Sequence, residues 1–473
     1  MNKQVDKTMN FIYCDTIETY KKECTRLKNY EDLACDTETY IKREYLEKGL
    51  GDARDPHTAS ISLLTLYERN GTPVIFDILV LERLGYDPET LIELLKTRKS
   101  ILYANAKFDV KHIYSHFGVM LRNSNCVRVY AKLIHNATGS KFGRALGAGL
   151  ADLCRDYLNV NITGKGVEQI QDWYVRPTAK EENDQYVDNY WLKKLEYAAA
   201  DVKYLFQLKD MMLPTIINPL PKTVLISEGG SKPPYGLGMK ETLELEEKFI
   251  AVAARMEYKG LPVDTTILEA IDRGIYDSLS ETGVLLEASS YLVKEFNLGY
   301  NPSLWSDYLI PHPESFKALN NPVKLKTLIN TRIGTSLTNV QASVVERMID
   351  VIDMLSTYNN SSEEQVHGNF EFINETEEEL FRELLTLDNS ELMTSCKLAK
   401  VLVTYKRFEK LRGMNLLKYV AVDGRIHPSY DQLGAATGRT SSSNPNGQNI
   451  SGRLKVTIER LIYRIFGQET VWK

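Results

Sequence analysis

The stretch Glu31-Asp-Leu-Ala-Cys-Asp-Thr-Glu-Thr-Tyr40 ends a short apolar run with two carboxylates, Asp36 and Glu38, two residues apart. In a β-strand the side chains alternate between faces, so this spacing sends both carboxylates to the same face. Two like charges repel unless a cation lies between them, and a divalent metal is the usual solution. Taken alone, an Asp-x-Glu pair in a chain with 63 acidic residues is more often a solvated strand edge. The stretch predicts a metal-binding strand, and the rest of the chain decides between these two interpretations.

The chain has 473 residues and a formal net charge of −5, with 43% hydrophobic and 26% charged residues. This length predicts two or three domains, and the composition is that of an ordinary globular protein. The net negative charge excludes an overall basic field. Any nucleic-acid binding must therefore come from local basic patches.

The six cysteines are scattered along the chain, without a Cys-x-x-Cys pair. This spacing argues against a zinc ribbon and a disulfide framework, and it favours reduced thiols in a cytosolic protein. The amino terminus lacks an apolar signal-peptide core, and no apolar run reaches the ~18 residues of a membrane span. We therefore expect a cytoplasmic protein with no membrane partner.

Short apolar, β-branched runs alternate with helical patterns on both sides of the opening stretch. Strands are predicted over residues 11–14, 61–67, 73–79 and 100–104. One helix is predicted from a Thr16 cap to about Tyr30, and another begins at Pro88. Alternating strands and helices imply an α/β sheet covered on its faces.

Two further acidic motifs follow. Asn105 stands where a helix should be capped, with Asp109 one turn into that helix. A first-turn acid favoured by the helix dipole is the alternative role for Asp109. Tyr197 and Asp201 are four residues apart on a long helix predicted from Trp191 to Met212, so both project from one helix face. Alone, this motif is more often ordinary core packing.

The three motifs, in this order and in these structural contexts, resemble the proofreading exonuclease domain of family A (DNA polymerase I-like) DNA polymerases. That domain is a DEDDy 3′–5′ exonuclease with a ribonuclease H-like fold. Gly149-Leu-Ala-Asp-Leu153 and Asp172-Trp173 also resemble the sequence that this family has between its second and third exonuclease motifs. The resemblance implies that residues 1–226 form an α/β ribonuclease H-like exonuclease domain.

The resemblance also implies a site for two divalent ions. Cleaving a phosphodiester needs an activated water and a stabilised leaving oxygen, which two metals ~4 Å apart can supply. Oxygen ligands suit Mg²⁺ or Mn²⁺. By the resemblance, Asp36 bridges both ions, Glu38 and Asp201 complete the first site, and Asp109 serves the second partly through water. Tyr197 would orient the attacking water.

The second half resembles the beginning of the polymerase domain. Gly, Pro and Ser concentrate between residues 227 and 240, which predicts a linker. Residues 265–355 look mostly helical, and the acidic segment 359–379 predicts a mobile loop. By the resemblance, residues 241–450 form a mostly α-helical thumb and partial palm region, followed by a divergent tail over 451–473.

Two stretches of the second half could contact DNA. Basic residues recur among apolar ones from Lys397 to Lys418 and could follow a DNA backbone, although a solvated helix face is the more common role of a single lysine. Thr437-Gly-Arg-Thr-Ser-Ser-Ser-Asn-Pro-Asn-Gly-Gln-Asn-Ile450 resembles the family's phrase at the palm entry, with Thr440 and Gly447 in place of the usual leucines. The implied DNA contacts are Asn105, Lys406, Lys410, Arg412, Thr437, Arg439, Gln448 and Asn449.

The resemblance ends at Ile450, because residues 451–473 contain no aspartate. Transfer of a nucleotide needs two aspartates that hold Mg²⁺. We therefore do not expect this chain alone to polymerise DNA, and the tail could be read-through. Three hypotheses stay open: an exonuclease derived from a phage-type family A polymerase, the amino-terminal subunit of a split polymerase that needs a separate palm and fingers chain, and an inactive DNA-binding remnant. An RNA-trimming exonuclease of the same superfamily ranks last.

Overall fold

The chain folds into two compact units. The first comprises Met1–Pro262 with Ala421–Gly447, and the second Val263–Val420 with Gln448–Lys473. The sequence predicts domain boundaries at residues 226, 240 and 450. These boundaries remain a prediction, because the two units are defined by their packing alone. The computed structural model describes residues 10–138, 149–162, 173–176, 185–218, 238–266, 268–269, 284–301, 310–311, 313–337, 339–340, 342–357, 382–384, 386–435 and 438–449.

A six-stranded mixed sheet forms the centre of the first unit. The strands are β1 Ile12–Cys14, β2 Asp32–Ile41, β3 Ala59–Glu68, β4 Val74–Asp77, β5 Ser100–Tyr103 and β6 Ser124–Cys126. They lie in the order β1-β4-β3-β2-β5-β6, with β3 antiparallel to both neighbours and the other pairs parallel. This arrangement confirms the predicted α/β class.

Helices accompany this sheet in the same unit. They are α1 Ile17–Leu27, α2 Arg43–Leu46, α3 Ile78–Arg83, α4 Pro88–Thr97, α5 Ala106–Phe117, α6 Val127–Thr138, α7 Leu150–Leu153, α8 Gln185–Lys203, α9 Leu205–Ile217 and α10 Met239–Lys259. A short strand, β7 Leu261–Pro262, follows α10. Fully buried aliphatic side chains of β2 and β3 pack with those of α4, α5 and α9 to form the main core.

Capping residues begin two helices where the sequence predicts them. Thr16 Oγ1 accepts the amide of Thr19 at 3.2 Å and begins α1, and Asp87 Oδ1 accepts the amide of Glu89 at 3.1 Å before Pro88. Asn105 stands at the predicted N-cap position of α5, but its side chain makes no capping hydrogen bond.

Two predicted elements end differently in the structure. The strand predicted over 73–79 stops at Asp77, because the Asp77 carboxylate accepts the amide of Val80 at 3.0 Å and so begins α3. The single helix predicted from Trp191 to Met212 is divided at Tyr204 into α8 and α9.

The described part of the second unit is mostly helical, as predicted. Its longer helices are α11 Val284–Glu295, α12 Pro313–Asn320, α13 Pro322–Ile333, α14 Ala342–Thr357 and α15 Asn389–Gly413. The two-residue strands β8 Tyr300–Asn301 and β9 Ile310–Pro311 pair antiparallel. Leucine, isoleucine and valine side chains of these helices form a core of their own. The loop predicted over 359–379 and the tail 451–473 lie outside the described residues.

Residues 421–447 return to the first unit after residues 263–420 of the second. Their strands are β10 Arg425–Ile426, β11 Ser429–Asp431 and β12 Ser441–Ser443. β10 pairs antiparallel with β7, and β11 pairs antiparallel with β12. Leu433 is 3% exposed and belongs to the same apolar core as Leu243 and Ile250 of α10. This core holds the returning segment against the first unit.

Glu257 of α10 joins the returning segment to α5. Its carboxylate accepts Lys107 Nζ at 2.6 Å and pairs with Lys111 Nζ at 2.8 Å. The same carboxylate accepts the backbone amide of Tyr430 at 2.8 Å. Because Glu257 is buried, these two lysines supply the positive charge that a buried carboxylate requires.

All six cysteines are buried thiols outside any disulfide, in line with the reduced state expected from their spacing. Among the helices of the described ranges, none has the length and apolarity that crossing a membrane would require.

Candidate active site

Three of the four predicted acidic ligands converge in the first unit. Asp36 and Glu38 lie on β2, which pairs with β3 in regular register up to Glu38 and shifts register only after it. Helix α8 packs against β2, β3 and β4 and supplies Asp201. One carboxylate oxygen from each of the three residues lies within 4.8 Å of the other two. The alternation of side chains along β2 and the position of α8 therefore bring the three carboxylates together in one acidic cluster.

Asp109, the fourth predicted ligand, is hydrogen-bonded to Thr37, the residue between the two acids of β2. Its Oδ1 accepts the backbone amide of Thr37 at 3.0 Å and the Thr37 hydroxyl at 2.9 Å. Strand β5 pairs with β2 only as far as Ala34, and beyond that point the side chain of Asp109 bonds the β2 backbone. Asp109 is 3% exposed, and the described cluster of mutually close ligand atoms does not include it.

The environment of Asp109 opposes its ionisation. Burial raises the pKa of Asp109, the two hydrogen bonds from Thr37 lower it, and the nearby carboxylate of Asp201 raises it further. Like charges held this close favour a bound cation, because a cation offsets both the repulsion and the desolvation.

Tyr197, the predicted water-orienting residue, is 6% exposed on α8, one helical turn before Asp201. Its ring lies beside that of Trp173, with the centroids 6.2 Å apart. Leu63 of β3 and Ile75 of β4 belong to the same apolar cluster. The core-packing interpretation of the Tyr-x-x-x-Asp motif therefore holds for the ring, and it does not conflict with a role for the hydroxyl.

The sequence did not predict the buried ion pair that holds Trp173 in place. Arg176 donates to both carboxylate oxygens of Asp77, at 2.7 and 3.0 Å, and to the carbonyl oxygen of Trp173 at 2.6 Å. Asp77 is fully buried, and the Tyr13 hydroxyl also donates to it at 2.5 Å. Arg176 is 99 residues from Asp77 in the sequence, so the pair leaves no local pattern. The one signal in the sequence is Asp77 itself, an acid within an apolar strand.

The donor set fits a hard divalent cation. Asp36, Glu38 and Asp201 offer only oxygen atoms, and Asp109 adds another carboxylate close by. Such ligand sets suit Mg²⁺ or Mn²⁺ better than metals that prefer nitrogen or sulfur. The acidic cluster can therefore hold a divalent metal.

The predicted DNA contacts are spread over both units. Asn105 at the start of α5 and Arg439, next to β12, are exposed in the first unit. Lys406 lies half-buried on α15 of the second unit, where burial lowers its pKa. Gln448 is exposed in a short 3₁₀ turn, Gly447–Asn449. Thr437 and the side chains of Lys410, Arg412 and Asn449 lie outside the described residues.

The fold and the acidic cluster define an α/β domain built on a six-stranded mixed sheet, followed by a helical region. Residues 11–217 match the family described as 3′–5′ exonuclease, and residues 344–471 match DNA polymerase family A. Each match covers less than half of the chain, and the two matches do not overlap. The second match runs past Ile450, the residue at which the resemblance was expected to end.

Bacterial DNA polymerases I are homologues of this chain. It is 41% identical over 87 residues to DNA polymerase I of Chloroflexus aurantiacus, and 42% identical over 77 residues to DNA polymerase I of Treponema pallidum. These matches span 18% and 16% of this chain, but only 9% and 7% of the two relatives.

One solved structure has a similar fold. The polymerase domain of Pol1 from M. smegmatis, in complex with DNA primer-template and dNTP, is similar over 98% of this chain and 59% of its own. The TM-score is 0.51 at 16% identity, so the likeness concerns the fold alone.

Proposed function

We propose that this chain removes nucleotides from the 3′ end of DNA as a metal-dependent proofreading exonuclease of the DEDDy type. The observation that carries the proposal is the convergence of Asp36, Glu38 and Asp201, whose carboxylate oxygens lie within 4.8 Å of one another. The match of residues 11–217 to the 3′–5′ exonuclease family supports the direction of cleavage.

Four carboxylates would hold two divalent ions, Mg²⁺ or Mn²⁺. Asp36, Glu38 and Asp201 would form the first position, and Asp109, anchored on Thr37, would contribute to the second. When bound, such ions lower the pKa of a ligated water and neutralise the charge that grows on the phosphate.

The remaining residues of the site would position the reactants. Tyr197 lies one turn from Asp201 on the same helix, and its hydroxyl would orient the attacking water. Asn105 begins the helix that carries Asp109 and would contact the terminal nucleotide. We propose Lys406, Lys410, Arg412, Thr437, Arg439, Gln448 and Asn449 as contacts to single-stranded DNA or a primer-template.

The exonuclease proposal is tested with 5′-labelled DNA carrying a mismatched 3′ end. Asp36→Asn should lower the rate of nucleotide removal in Mg²⁺ by at least about 10³-fold, because the four carboxylates act as a unit. Glu93→Gln, on the exposed face of α4, is the control and should leave the rate unchanged. Equal rates for Asp36→Asn and the parent would refute the assignment.

DNA synthesis is a second candidate activity, because residues 344–471 match DNA polymerase family A. Residues 432–473 contain no aspartate, so we propose that residues 344–471 do not extend a primer by themselves. We propose that primer extension would need a separate chain with palm and fingers motifs. We also propose that the protein acts in the cytoplasm of a phage-infected host. Primer extension by the chain alone would overturn this, and extension only after mixing would support it.

A third outcome is a folded DNA-binding remnant without catalysis. It would appear as tight binding of a primer-template, measured by fluorescence anisotropy, together with no Mg²⁺- or Mn²⁺-dependent loss of the 3′ nucleotide. Because that result would also refute the exonuclease proposal, both measurements should be made on the same preparation.

A further inference from the structure

A second group of metal-ligating side chains lies in the first unit, away from the four acids. It consists of His57, Asp423 and His427, with one ligand atom from each within 4.8 Å of the others. His57 lies in the loop before β3, Asp423 in the turn before β10, and His427 directly after β10. The three side chains are partly buried, with exposures between 16% and 27%.

The Nδ1 atoms of both histidines are already bonded on the far side of the cluster. His427 Nδ1 lies 2.8 Å from the carbonyl oxygen of Glu257, and His57 Nδ1 lies 3.0 Å from Asp55 Oδ1. A carbonyl or an ionised carboxylate can only accept, so each Nδ1 carries the hydrogen. A histidine that binds a metal characteristically gives its other ring hydrogen to a carboxylate or a backbone carbonyl.

The Nε2 atoms of both rings face one carboxylate oxygen. Asp423 Oδ2 lies 3.1 Å from His427 Nε2 and 3.8 Å from His57 Nε2. Asp423 Oδ1 accepts the backbone amide of Arg425 at 3.1 Å, which fixes the orientation of the carboxylate. In the neutral rings, each Nε2 directs a lone pair towards this anion. That arrangement is repulsive unless a proton or a metal ion lies between each Nε2 and the carboxylate.

The surrounding residues hold both rings in this orientation. The His57 ring stacks on Tyr258, with centroids 4.5 Å apart and planes inclined by 20°. A Cβ at Gly260, where φ is +60°, would lie 2.7 Å from His427 Nδ1. Only glycine therefore leaves room for the imidazole beside the end of α10.

We propose that His57 Nε2, His427 Nε2 and Asp423 Oδ2 bind a first-row transition-metal ion of the Zn²⁺ class. Ligands about 2.0–2.1 Å from a tetrahedral Zn²⁺ lie roughly 3.3–3.4 Å from one another. The two Nε2–Oδ2 distances, 3.1 and 3.8 Å, lie on either side of that value. A water molecule would complete the coordination.

Two imidazoles favour Zn²⁺ over Mg²⁺, the reverse of the preference at the carboxylate site. The ion would link the loop that precedes β3 to the turn that precedes β10. It would therefore be a structural site that ties the returning residues 421–427 to the sheet, and it does not depend on the proposed exonuclease function.

The test measures Zn²⁺ binding to the full chain by isothermal titration calorimetry. Every protein in this test, including the parent, carries Asp36→Asn and is measured in excess Mg²⁺. Both conditions keep Zn²⁺ from binding at the carboxylate site. The parent should bind one equivalent of Zn²⁺, and its melting temperature should rise on binding. His57→Gln and Asp423→Asn should each weaken binding by at least about 100-fold, because each removes a direct ligand.

His116→Gln is the matched control, since His116 Nε2 pairs with a single carboxylate, that of Glu82, at 3.3 Å. It should leave Zn²⁺ affinity unchanged. Asp423→Asn keeps the side-chain size and carries the test if His57→Gln does not fold. The proposal is overturned if the parent binds no Zn²⁺, or if both variants bind it as tightly as the parent.

Discussion

Thr37 lies between the two acids of β2 and holds Asp109, the fourth carboxylate of the proposed metal site. Its hydroxyl and its amide both donate to Asp109 Oδ1. Thr37→Val removes only the hydroxyl bond and keeps the shape of the side chain. Because partners of metal ligands typically change metal affinity or activity by ~10–100-fold, we expect a Mg²⁺ half-saturation at least ~10-fold higher. Exonuclease rates measured against Mg²⁺ concentration test this.

Thr39 provides a matched control two residues along the same strand. Its hydroxyl donates to the carbonyl oxygen of Ala53 at 2.7 Å, away from Asp109. Thr39→Val should cost about 1 kcal/mol of stability and leave the Mg²⁺ dependence unchanged. If both valine variants change the Mg²⁺ dependence equally, the effect of Thr37→Val does not act through Asp109.

His112 makes the first unit sensitive to mild acid. The residue is 1% exposed on α5, and burial lowers its pKa to about 3, with Lys111 adding to the effect. An unfolded histidine has a pKa of about 6.5, so between these values the unfolded chain binds a proton that the folded chain does not. Stability from this residue is full above pH ~6.5 and falls by about 1.4 kcal/mol per pH unit below it.

His112→Phe removes this proton linkage and should flatten the decline. Urea unfolding at pH 7.5 and 5.5 would show a smaller loss of unfolding free energy for the variant than for the parent. An equal loss in both proteins would mean that His112 is protonated in the folded state.

At the scale of single elements, the segment 173–176 depends on one buried ion pair. Arg176 is 10% exposed and Asp77 is fully buried. Arg176→Met would leave the Asp77 charge without its cation, so we expect a loss of about 3–5 kcal/mol in unfolding free energy. Arg54→Met breaks the exposed pair with Asp52 and should change stability by less than about 1 kcal/mol. Similar losses in the two variants would contradict this account.

Local sequence patterns predicted β2, the start of α5 and the position of Asp201, because alternation and helical spacing act over a few residues. They did not predict the end of β4, since Asp77 sits in an apolar run yet caps a helix. The Asp109–Thr37 and Arg176–Asp77 contacts join residues 72 and 99 positions apart. Such pairs exist only once the sheet has formed, so a single sequence does not reveal them.

At the scale of the whole molecule, residues 421–447 belong to the first unit, and Leu433 lies in its interior. Leu433 is 3% exposed within the main core, so Leu433→Ala should lower the stability of that unit by about 2–4 kcal/mol. Urea inactivation of the exonuclease reports on this unit. Val422→Ala is the control, because Val422 is 44% exposed, and it should leave the midpoint unchanged. A Leu433→Ala midpoint equal to that of the parent would place the segment outside the cooperative unit.

The two-part composition of the first unit, Met1–Pro262 with Ala421–Gly447, has a consequence for biosynthesis. A ribosome adding ~5–20 residues per second would need roughly 10–30 s to make the intervening segment 263–420. During that interval the nascent first unit would lack Leu433, which later joins its main apolar core. Chaperone dependence during translation, rather than the final equilibrium, would then limit the yield of active protein.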